Sequence, residues 1–496
     1  MTGCRANMSE YNPHLFKGQA LPQQGEKADE LEQWEVAGHL EQLRKAQEQK
    51  EITAQEHKKP GYRQNDIAKD SERLVMYIDM NSFFASCEQQ MHPELRGKPI
   101  GVVTYDSPNA AVIAPSGEAK KFGVKTGMRL MECRQYCPHI IPITTHPAVY
   151  RAIHIFIIGV LRKYCDDVIA KSIDEALMNL TSYRWVYKDP MALGRQIKDD
   201  ITARYDYLKC SIGIAPNSFL AKLGTELQKP DGLIRVTPDN IDSYLQRLQL
   251  TDLPGIATRN AHRLTTVGIK TPLEMRHASA ALLRKAFGGV VGNYWHARLN
   301  FGEVDLYSGE NRTMSAQRTV SRPQRESLQT MESLLVALCT RLEQRMVKQS
   351  VFCREAWCFI RYRNGTSWDV KIGLPHAMQD AIEIRRHILN QMHSYEQGHN
   401  IAHLFNSNVQ MIGVGVQDFM KGNCMQYSLF DNRMRHDVLR KAMYDIKDKY
   451  SKNIVRKGAE LVEDGVMKDA IGFGSVKDMV GVNGDLVNKY LLEEDE

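Results

Sequence analysis

The sequence contains little that would indicate a membrane protein, a secreted protein or a zinc-binding protein. Its longest clean apolar runs, such as residues 155–161, are far shorter than the roughly 20 residues that a membrane helix needs. Residues 1–30 carry no apolar core followed by a small-residue cleavage site, so we expect no secretory signal. The ten cysteines include no CxxC pair, which predicts reduced thiols in a cytoplasmic protein.

The net charge of the whole chain is also small, but the charged residues are unevenly distributed along the sequence. The formal net charge is +6 for 496 residues. Residues 1–70 and 431–496 each carry a net charge of −2, whereas residues 71–430 hold 43 Lys and Arg against 33 Asp and Glu. A polyanion would therefore bind to the middle of the chain. The length and the 43% apolar content predict a globular protein of two to four domains.

The order of apolar patterns in the middle predicts an α+β domain of the ferredoxin-like kind. In such a domain helices cover one face of a mostly antiparallel sheet. Strands are expected at 74–78 and 210–215, with an interrupted apolar stretch at 168–180. Helices are expected at 83–91, 150–164, 190–204 and 218–227.

Two further modules follow. Tight turns at 253–256 and 266–269 separate short amphipathic helices, a pattern that resembles a helix-hairpin-helix unit, whose turn amides can face a phosphate backbone. An ordinary small helical subdomain is the alternative. After a linker near 301–308, a second α+β module is expected, with strands at 356–362, 368–372 and 409–416 and helices at 332–347 and 379–393.

Three acids interrupt apolar strand patterns: Asp79 after the run 74–78, and the pair Asp174 and Glu175. A charge beside buried strands is costly unless it is paired or binds a metal. Each acid has a simple alternative, since Asp79 could cap a helix beginning near Ser82 and the pair could lie in a hairpin turn. Together they offer hard oxygen ligands from two strands, which a pair of Mg²⁺ ions requires.

Five motifs in one order resemble those of the Y-family of translesion DNA polymerases. They are DMNSFFASCE at 79–88, RGKPI at 96–100, AKKFGV at 119–124, SIDEA at 172–176, and LAK with KPDG at 220–222 and 229–232. With the helical and basic modules, the resemblance covers roughly residues 71–430. Within the family, Asn81 and the pair Cys87 and Glu88 are most similar to the catalytic subunit of bacterial DNA polymerase V.

The resemblance implies a right-hand polymerase with a ferredoxin-like palm, small fingers, a helix-hairpin-helix thumb and a separate α+β little finger. The implied boundaries are 71–81 and 149–237 for the palm, 82–148 for the fingers, 238–303 for the thumb, 304–312 for a linker and 313–420 for the little finger. Residues 1–70 would then be a polar extension, partly helical or disordered. Residues 421–496 would be a C-terminal tail.

The resemblance also implies roles for residues at the catalytic centre. Asp79, Asp174 and Glu175 fall on the family's catalytic and metal-binding positions, and the backbone carbonyl of Met80 is expected to complete the shell of one Mg²⁺. Two Mg²⁺ ions are implied, with Mn²⁺ as a substitute. Phe84 falls on the steric-gate position, where an aromatic ring leaves no room for a 2′-hydroxyl.

Nucleotide binding is where the sequence departs from the family. Phe83 and Phe84 are expected beside the nucleotide; a plain core position is the alternative for both, and it suits Phe83 better than Phe84. The family holds the triphosphate with a fingers Tyr, a fingers Arg and a palm Lys. Here Lys229 keeps the palm contact, Lys120 replaces the Arg, and Gly117 stands at the Tyr position. Because Lys offers a point charge instead of a bidentate fork, weaker or differently arranged binding of the nucleotide is predicted.

A second departure lies in the expected thumb. Ala257 stands where such hairpins usually have Gly, which predicts a slightly altered turn.

Two more sites are implied outside the catalytic centre. Template phosphates are expected to bind Arg312, Arg318, Arg322, Arg361 and Arg363, with Arg325, Lys348 and Arg354 nearby. The peptide 426–430 resembles the QxxLF motif that docks on the sliding clamp, with Gln426, Leu429 and Phe430 as its contacts. An apolar patch that seals the domain is the alternative for this peptide.

The resemblance therefore implies a template-directed, error-prone polymerase for translesion synthesis in the SOS response. Its expected partners are primer-template DNA, dNTPs and the bacterial sliding clamp, with no membrane. The likeness to polymerase V implies two further partners, a recombinase filament and an accessory mutagenesis subunit. The expected location is cytoplasmic and nucleoid-associated. The first alternative is a catalytically silent DNA-binding repair scaffold of the same fold. A palm-fold nucleotidyl cyclase is the second, but it leaves the helix-hairpin-helix, the basic module and the clamp-like peptide unexplained.

Overall fold

A computed structural model describes residues 73–306, 312–427, 432–450 and 454–455 of the chain. Its strands are β1 Val75–Met80, β2 Ile100–Val103, β3 Val112–Pro115, β4 Ile141–Thr144, β5 Val168–Ala170, β6 Glu175–Asn179, β7 Cys210–Ala215, β8 Leu233–Arg235, β9 Thr313–Thr319, β10 Val351–Tyr362, β11 Ser367–Met378 and β12 Val409–Lys421. The expected extension at 1–70 lies outside the described residues.

The described residues form fifteen α-helices. They are α1 Phe83–Met91, α2 Gly117–Lys121, α3 Leu130–Tyr136, α4 Pro147–Arg162, α5 Pro190–Arg204, α6 Ser218–Leu227, α7 Ile241–Leu245, α8 Thr258–Thr266, α9 Pro272–His277, α10 Ala280–Phe287, α11 Val290–Leu299, α12 Arg322–Arg325, α13 Leu328–Lys348, α14 Ala381–Gly398 and α15 Arg433–Lys449. The predicted α+β fold class is confirmed.

The region expected to be the palm is built on a five-stranded sheet in the order β5-β6-β1-β7-β8. Strand β1 is central and runs antiparallel to both β6 and β7, while β7 and β8 are parallel. Every residue of β1 is buried, as an unbroken apolar run predicts. The sheet thus holds the end of β1, and Asp79 with it, at the middle of the domain.

Helices cover both faces of this sheet, whereas the sequence predicted one covered face. Met76 and Ile78 pack in one apolar cluster with residues of α4 and α5. Tyr77, on the opposite face, packs in another cluster with residues of α6 and of the helical module that follows. Helix α6 lies directly on β7, because a Cβ at Gly213 would lie 1.9 Å from the carbonyl oxygen of Ala221. This close approach brings the side chains of α6 to the sheet surface that carries Tyr77.

A three-stranded sheet that the sequence did not predict forms the region expected to be the fingers. Strand β2 lies between β3, which is antiparallel to it, and β4, which is parallel. A small core that includes Val103, Leu130 and Cys133 packs there. Each strand has only four residues, too few for a period to emerge. The nine cysteines within the described part of the chain are free thiols, as predicted.

The helical module contains both predicted turns. Gly255 and Gly268 have φ values of +88° and +90°, which only glycine adopts without strain. Ala257 precedes α8 with φ −92° and ψ 174°, an ordinary extended conformation. The departure at Ala257 therefore leaves the turn unstrained, because Gly255 supplies its left-handed residue.

The second α+β module is a four-stranded antiparallel sheet in the order β11-β10-β12-β9. Helices α13 and α14 pack on one face. Along β10, Ala356, Cys358 and Ile360 are buried in the core that these helices share. Trp357 and Phe359 alternate with them and so point to the other face.

Helix α15 packs on the second module, although its residues fall in the predicted tail. The Arg440 guanidinium donates to Asp380 Oδ2 at 2.7 Å, and the Tyr444 hydroxyl donates to Glu343 Oε1 at 3.0 Å. Glu343 is fully buried, and its other oxygen accepts the backbone N–H of Ala381 at 2.6 Å. The helix is therefore held through polar contacts. Among the described residues, no helix is both long and apolar enough to cross a membrane.

Candidate active site

The three predicted acids meet at one end of the central sheet. Asp79 of β1 and Glu175 of β6 are directly opposite each other in the antiparallel register. Asp174 precedes Glu175 in the turn between β5 and β6, and its carbonyl accepts the N–H of Met80 at 2.9 Å. Of the pair for which a hairpin turn was the alternative, Asp174 thus lies in the turn and Glu175 begins strand β6. Asp79 does not cap α1, whose N-cap is Ser82 without a side-chain hydrogen bond.

A lysine that the sequence reasoning did not assign lies between two of these acids. The Lys222 ammonium contacts Asp79 Oδ2 and lies 2.7 Å from Glu175 Oε1. Burial alone would lower the pKa of Lys222, but the carboxylates of Asp79 and Glu175 raise it above its ordinary value. Asp79, Tyr77 and Glu175 face α6 because alternate strand residues share a face. The Tyr77 hydroxyl completes the group by donating to Glu175 Oε2 at 2.8 Å.

Lys229, predicted to contact the triphosphate, lies beside the same acid. Its ammonium is 3.0 Å from Asp79 Oδ2 and 2.8 Å from Glu226 Oε1. Asn81 fixes the turn that carries it, because Asn81 Oδ1 accepts the N–H of Asp231 at 2.7 Å and its Nδ2 donates to Ser211. Asn81 thereby ties the end of β1 to the lysine that follows α6.

The protonation of Asp174 is affected by burial and by the charges of the other two acids. Burial raises the pKa of Asp174, the charges of Glu175 and Asp79 raise it further, and a hydrogen bond from the Ser172 hydroxyl opposes them. Accumulated negative charge therefore makes this centre receptive to cations.

The donor set fits Mg²⁺. The oxygens of Asp79 and Glu175 converge on one cation, the Lys222 ammonium, and carboxylate oxygens are the ligands that Mg²⁺ prefers. Among the described residues no three acidic, His or Cys side chains form a ready metal cluster. The lysine occupies the point where the two carboxylates meet. Binding of a divalent ion would therefore require Lys222 to move aside.

The two aromatic rings of the first motif are both buried. Phe83 is 3% exposed and Phe84 is 6% exposed, and both belong to the palm core cluster. Ser82, just before them, has φ +50°, a left-handed conformation that non-glycine residues rarely adopt. This turn directs α1 away from the end of β1.

The expected fingers contacts lie on and near the short helix α2. Burial lowers the pKa of Lys120, and the charge of Lys229 lowers it further. Gly117 is the first residue of α2, and a Cβ there would meet nothing within 4 Å. The missing Tyr therefore leaves open space at this position.

The arginines predicted to bind DNA do not share one surface. Arg361 lies on the face of β10 that points away from the helices. Arg318 of β9 stands opposite buried Ile412 and so points to the helix-covered face of that edge strand. Arg312, Arg322 and Arg363 are exposed just outside the strands.

The clamp-like peptide is only partly within the described residues. Gln426 lines a cleft of about 650 Å³ with Arg440 of α15. The next residue, Tyr427, donates its hydroxyl to Asp437 Oδ2 at 3.0 Å. Leu429 and Phe430 lie outside the described residues.

Sequence reasoning missed Lys222, Tyr77 and the positioning role of Asn81. One signal was available for the lysine: Lys222 and Glu226 lie four residues apart in the predicted helix 218–227, a spacing that aligns side chains along one helix face. No comparable local pattern predicts that Tyr77 bonds to an acid 98 positions away.

Comparison with known proteins adds independent findings. The model of the "impB/mucB/samB family" matches residues 78–226, and that of the "impB/mucB/samB family C-terminal domain" matches residues 311–429. The DNA polymerase IV of Moorella thermoacetica is 28% identical over 406 residues, which are 80% of this chain and 98% of that protein. The DNA polymerase IV of Bacteroides fragilis is 32% identical over 220 residues, 44% of this chain and 60% of that relative's length.

Solved structures agree on the fold. A Y-family DNA polymerase chimera, Dbh-Dpo4(243-245)-Dbh, has a TM-score of 0.58 at 22% identity and covers 70% of this chain and 99% of its own. The two family models together match more than half of the 496 residues. The chain therefore belongs to the impB/mucB/samB family, the Y-family of DNA polymerases.

Proposed function

We propose that the chain is a template-directed DNA polymerase that copies damaged DNA by two-metal nucleotidyl transfer. One observation carries the proposal: Asp79 and Glu175 are adjacent on central strands, with Asp174 beside them and Lys222 between them. Carboxylates held this way suit a reaction whose catalysis is mainly positioning and charge neutralisation.

Each side chain then has a role. Asp79 and Glu175, with Asp174 and the Met80 carbonyl, would hold two Mg²⁺ ions, which when bound lower the pKa of a 3′-hydroxyl and neutralise the leaving group. Lys229 and Lys120 would neutralise the triphosphate, and Asn81 would fix the turn that carries Lys229. Phe84 would exclude a 2′-hydroxyl from the sugar site. Lys222 would release the acids and pair instead with the substrate's negative charge.

Primer extension on a template with an abasic site tests the proposal, comparing wild type with Asp174→Ala and Asp79→Asn. Both variants are expected to lose at least roughly 100-fold in extension while retaining DNA affinity. Equal extension by wild type and Asp174→Ala would favour the alternative, a repair scaffold that binds DNA without catalysis. Conversion of a nucleoside triphosphate to a cyclic nucleotide would favour the cyclase.

An error-prone role in the SOS response extends this proposal. The supporting feature is the first motif, where Asn81 and the pair Cys87 and Glu88 resemble the polymerase V subunit. The curated relatives described above are named DNA polymerase IV, so the polymerase V likeness stays a prediction. Stimulation by a recombinase filament and an accessory mutagenesis subunit would support it, and full activity of the isolated chain would contradict it.

Docking on the sliding clamp through Gln426, Leu429 and Phe430 is also part of the proposal. Tyr427 contacts α15, so the peptide starts from an ordered base. Deleting Leu429 and Phe430 should abolish clamp-stimulated synthesis and spare basal synthesis, whereas equal loss of both would point to a folding defect. A cytoplasmic, nucleoid-associated location follows from DNA as the substrate.

Template phosphates are proposed to bind Arg312, Arg361 and Arg363, with Arg322 nearby. All four are exposed, and residues 311–363 hold ten Lys and Arg against four acids. Such contacts release counterions, so the affinity for DNA should fall steeply as salt rises. A flat salt response would contradict these contacts.

A further inference from the structure

The open face of the second module carries two aromatic rings where a solvent-facing sheet would normally carry polar side chains. Trp357 and Phe359 of β10 point away from α13 and α14, and neither belongs to the core that those helices share. Their ring centroids are 6.0 Å apart with 17° between the planes. Both are half-buried, so part of each ring remains exposed. We call this pair the ring platform.

Glycines on the neighbouring strand make room for the ring platform. Gly413 and Gly415 of β12 stand opposite Phe359 and Trp357 in the register. A Cβ at Gly413 would lie 2.2 Å from the Phe359 ring, and one at Gly415 would lie 2.1 Å from the Trp357 ring. The rings therefore occupy the space of the missing side chains. Because Gly413 and Gly415 have no side chains, the two rings can lie over them and form a broad, flat apolar surface.

The charged groups around the platform are largely paired. The Arg361 guanidinium lies 5.2 Å from the centroid of the Phe359 ring. Glu355 accepts from Gln417 at 2.7 Å and pairs with Lys371 at 2.8 Å. Asp369, opposite Phe359, is the exposed acid of this face. The platform thus has one cation stacked on it and one exposed acid next to it.

Edge strand β9 adds polar groups on the same face. Its outward residues are Thr313, Ser315, Gln317 and Thr319, all exposed. Strand β9 is two strands from β10, roughly 10 Å at the usual strand spacing. Hydroxyls and free edge N–H groups can bind phosphates without sequence preference. A strand of nucleic acid whose backbone follows β9 could therefore reach the platform with its bases.

We propose that the ring platform stacks on a base of single-stranded template DNA. The inference rests on the proposed function, because the occupant is the template. Aromatic rings beside an arginine suit any base, since every base has a π-face. The Arg361 guanidinium beside the Phe359 ring and the exposed hydroxyls of β9 favour a nucleic-acid strand over an apolar protein partner. This subsite would hold the template by its bases as well as by its phosphates.

The test compares binding of an oligothymidylate with binding of an abasic oligonucleotide of the same length. Wild type should bind the base-bearing strand at least about 5-fold more tightly, the ratio that roughly 1 kcal/mol of stacking gives. The double variant Trp357→Leu/Phe359→Leu should reduce this ratio to about one. Gly415→Ala, which keeps both rings but displaces one, should reduce it in the same direction. Trp185→Leu, at an exposed Trp of the palm, is the matched control and should keep the wild-type ratio.

Primer extension by the same proteins separates this inference from the proposed function. If wild type extends primers but the double variant keeps the wild-type binding ratio, the subsite is overturned and the polymerase proposal stands. Failure of wild type to extend primers would overturn the polymerase proposal instead. If the double variant abolishes a concentration-dependent dimer and leaves DNA binding unchanged, the platform is a protein interface and the inference is wrong.

Discussion

The ring of Phe84 stacks on the ring of Tyr150, with centroids 4.5 Å apart and 21° between the planes. Tyr150 is fully buried and donates its hydroxyl to Glu88, which is 2% exposed and one helical turn beyond Phe84. His146 Nδ1 lies 2.9 Å from the same carboxylate. The buried Glu88 carboxylate therefore fixes the Tyr150 ring on which Phe84 stacks.

This stacking predicts that Tyr150 supports discrimination between sugars. Tyr150→Leu should reduce the preference for dNTPs over rNTPs, because Phe84 loses its backing, while Tyr150→Phe should keep most of it. Phe84→Ala should abolish the preference. The ratio of kcat/KM for dCTP and CTP in primer extension measures each effect. Tyr187→Leu, at a ring stacked on Tyr183 elsewhere in the palm, is the control. Unchanged discrimination in Phe84→Ala would refute the steric-gate assignment.

Removing the cation between the acids should make stability depend on metal. Lys222→Met leaves Asp79 and Glu175 without their shared counter-ion, at a cost of about 1–3 kcal/mol in EDTA. Added Mg²⁺ should restore much of this loss, as measured by urea unfolding with and without metal. Lys163→Met removes an exposed lysine 3.9 Å from Asp200 and should show no such dependence. A Lys222→Met protein equally stable with and without Mg²⁺ would count against metal binding by these acids.

The open space at Gly117 predicts a gain of function. Gly117→Tyr can be accommodated, because a Cβ there meets nothing within 4 Å, and its hydroxyl could bond to the triphosphate. One such bond contributes about 0.5–1.5 kcal/mol, so KM for dNTPs should fall roughly 2- to 10-fold with little change in kcat. Gly117→Phe is the matched control, with the ring but no hydroxyl. An equal effect of Phe and Tyr would exclude the hydrogen bond.

A buried histidine that contacts the turn between β5 and β6 predicts a pH effect on stability. His154 Nδ1 lies 2.7 Å from the carbonyl oxygen of Ile173. Burial lowers the pKa of His154 below its ordinary 6.5, although the hydrogen bond to Ile173 opposes the shift. The unfolded chain therefore takes up a proton near pH 6.5 that the folded protein does not, so stability falls as the pH drops below 6.5.

The unfolding free energy of His154→Gln, measured between pH 7.5 and 5.5, should depend less on pH than that of wild type. His262→Gln, at an exposed position of α8, should retain the wild-type slope. Identical slopes for His154→Gln and wild type would show that this histidine titrates normally in the folded protein.

Much of the fold was predictable because apolar periodicity survives in long elements. Helix α5, strand β7 and helix α6 have the predicted bounds of 190–204, 210–215 and 218–227. Strand β1 was expected at 74–78 and instead extends to Met80, because its pairing with β7 continues past the apolar run. The hydrogen bonds to the neighbouring strand, not the length of the apolar run, determine where β1 ends.

Within the candidate site, the acids and Lys229 could be found from sequence, but the contacts of the acids with Lys222 and Tyr77 could not. Asp79 and Glu175 are visible because each breaks an apolar strand pattern. The contact of Lys222 with Asp79 joins positions 143 apart, and it depends on how closely α6 approaches β7 at Gly213. Such contacts arise from packing between distant elements, which no local pattern records.

The register that places Asp79 opposite Glu175 also determines which genetic changes this centre can tolerate. Side chains alternate along a strand, so deleting one residue from β6 beyond Glu175 would either shift the whole strand or turn its carboxylate toward α4 and α5. Conservative substitutions in β6 alter side-chain packing gradually. A single-codon deletion there moves side chains from one face of the sheet to the other. Libraries of in-frame deletions should therefore show a sharp gap in surviving clones across this hairpin.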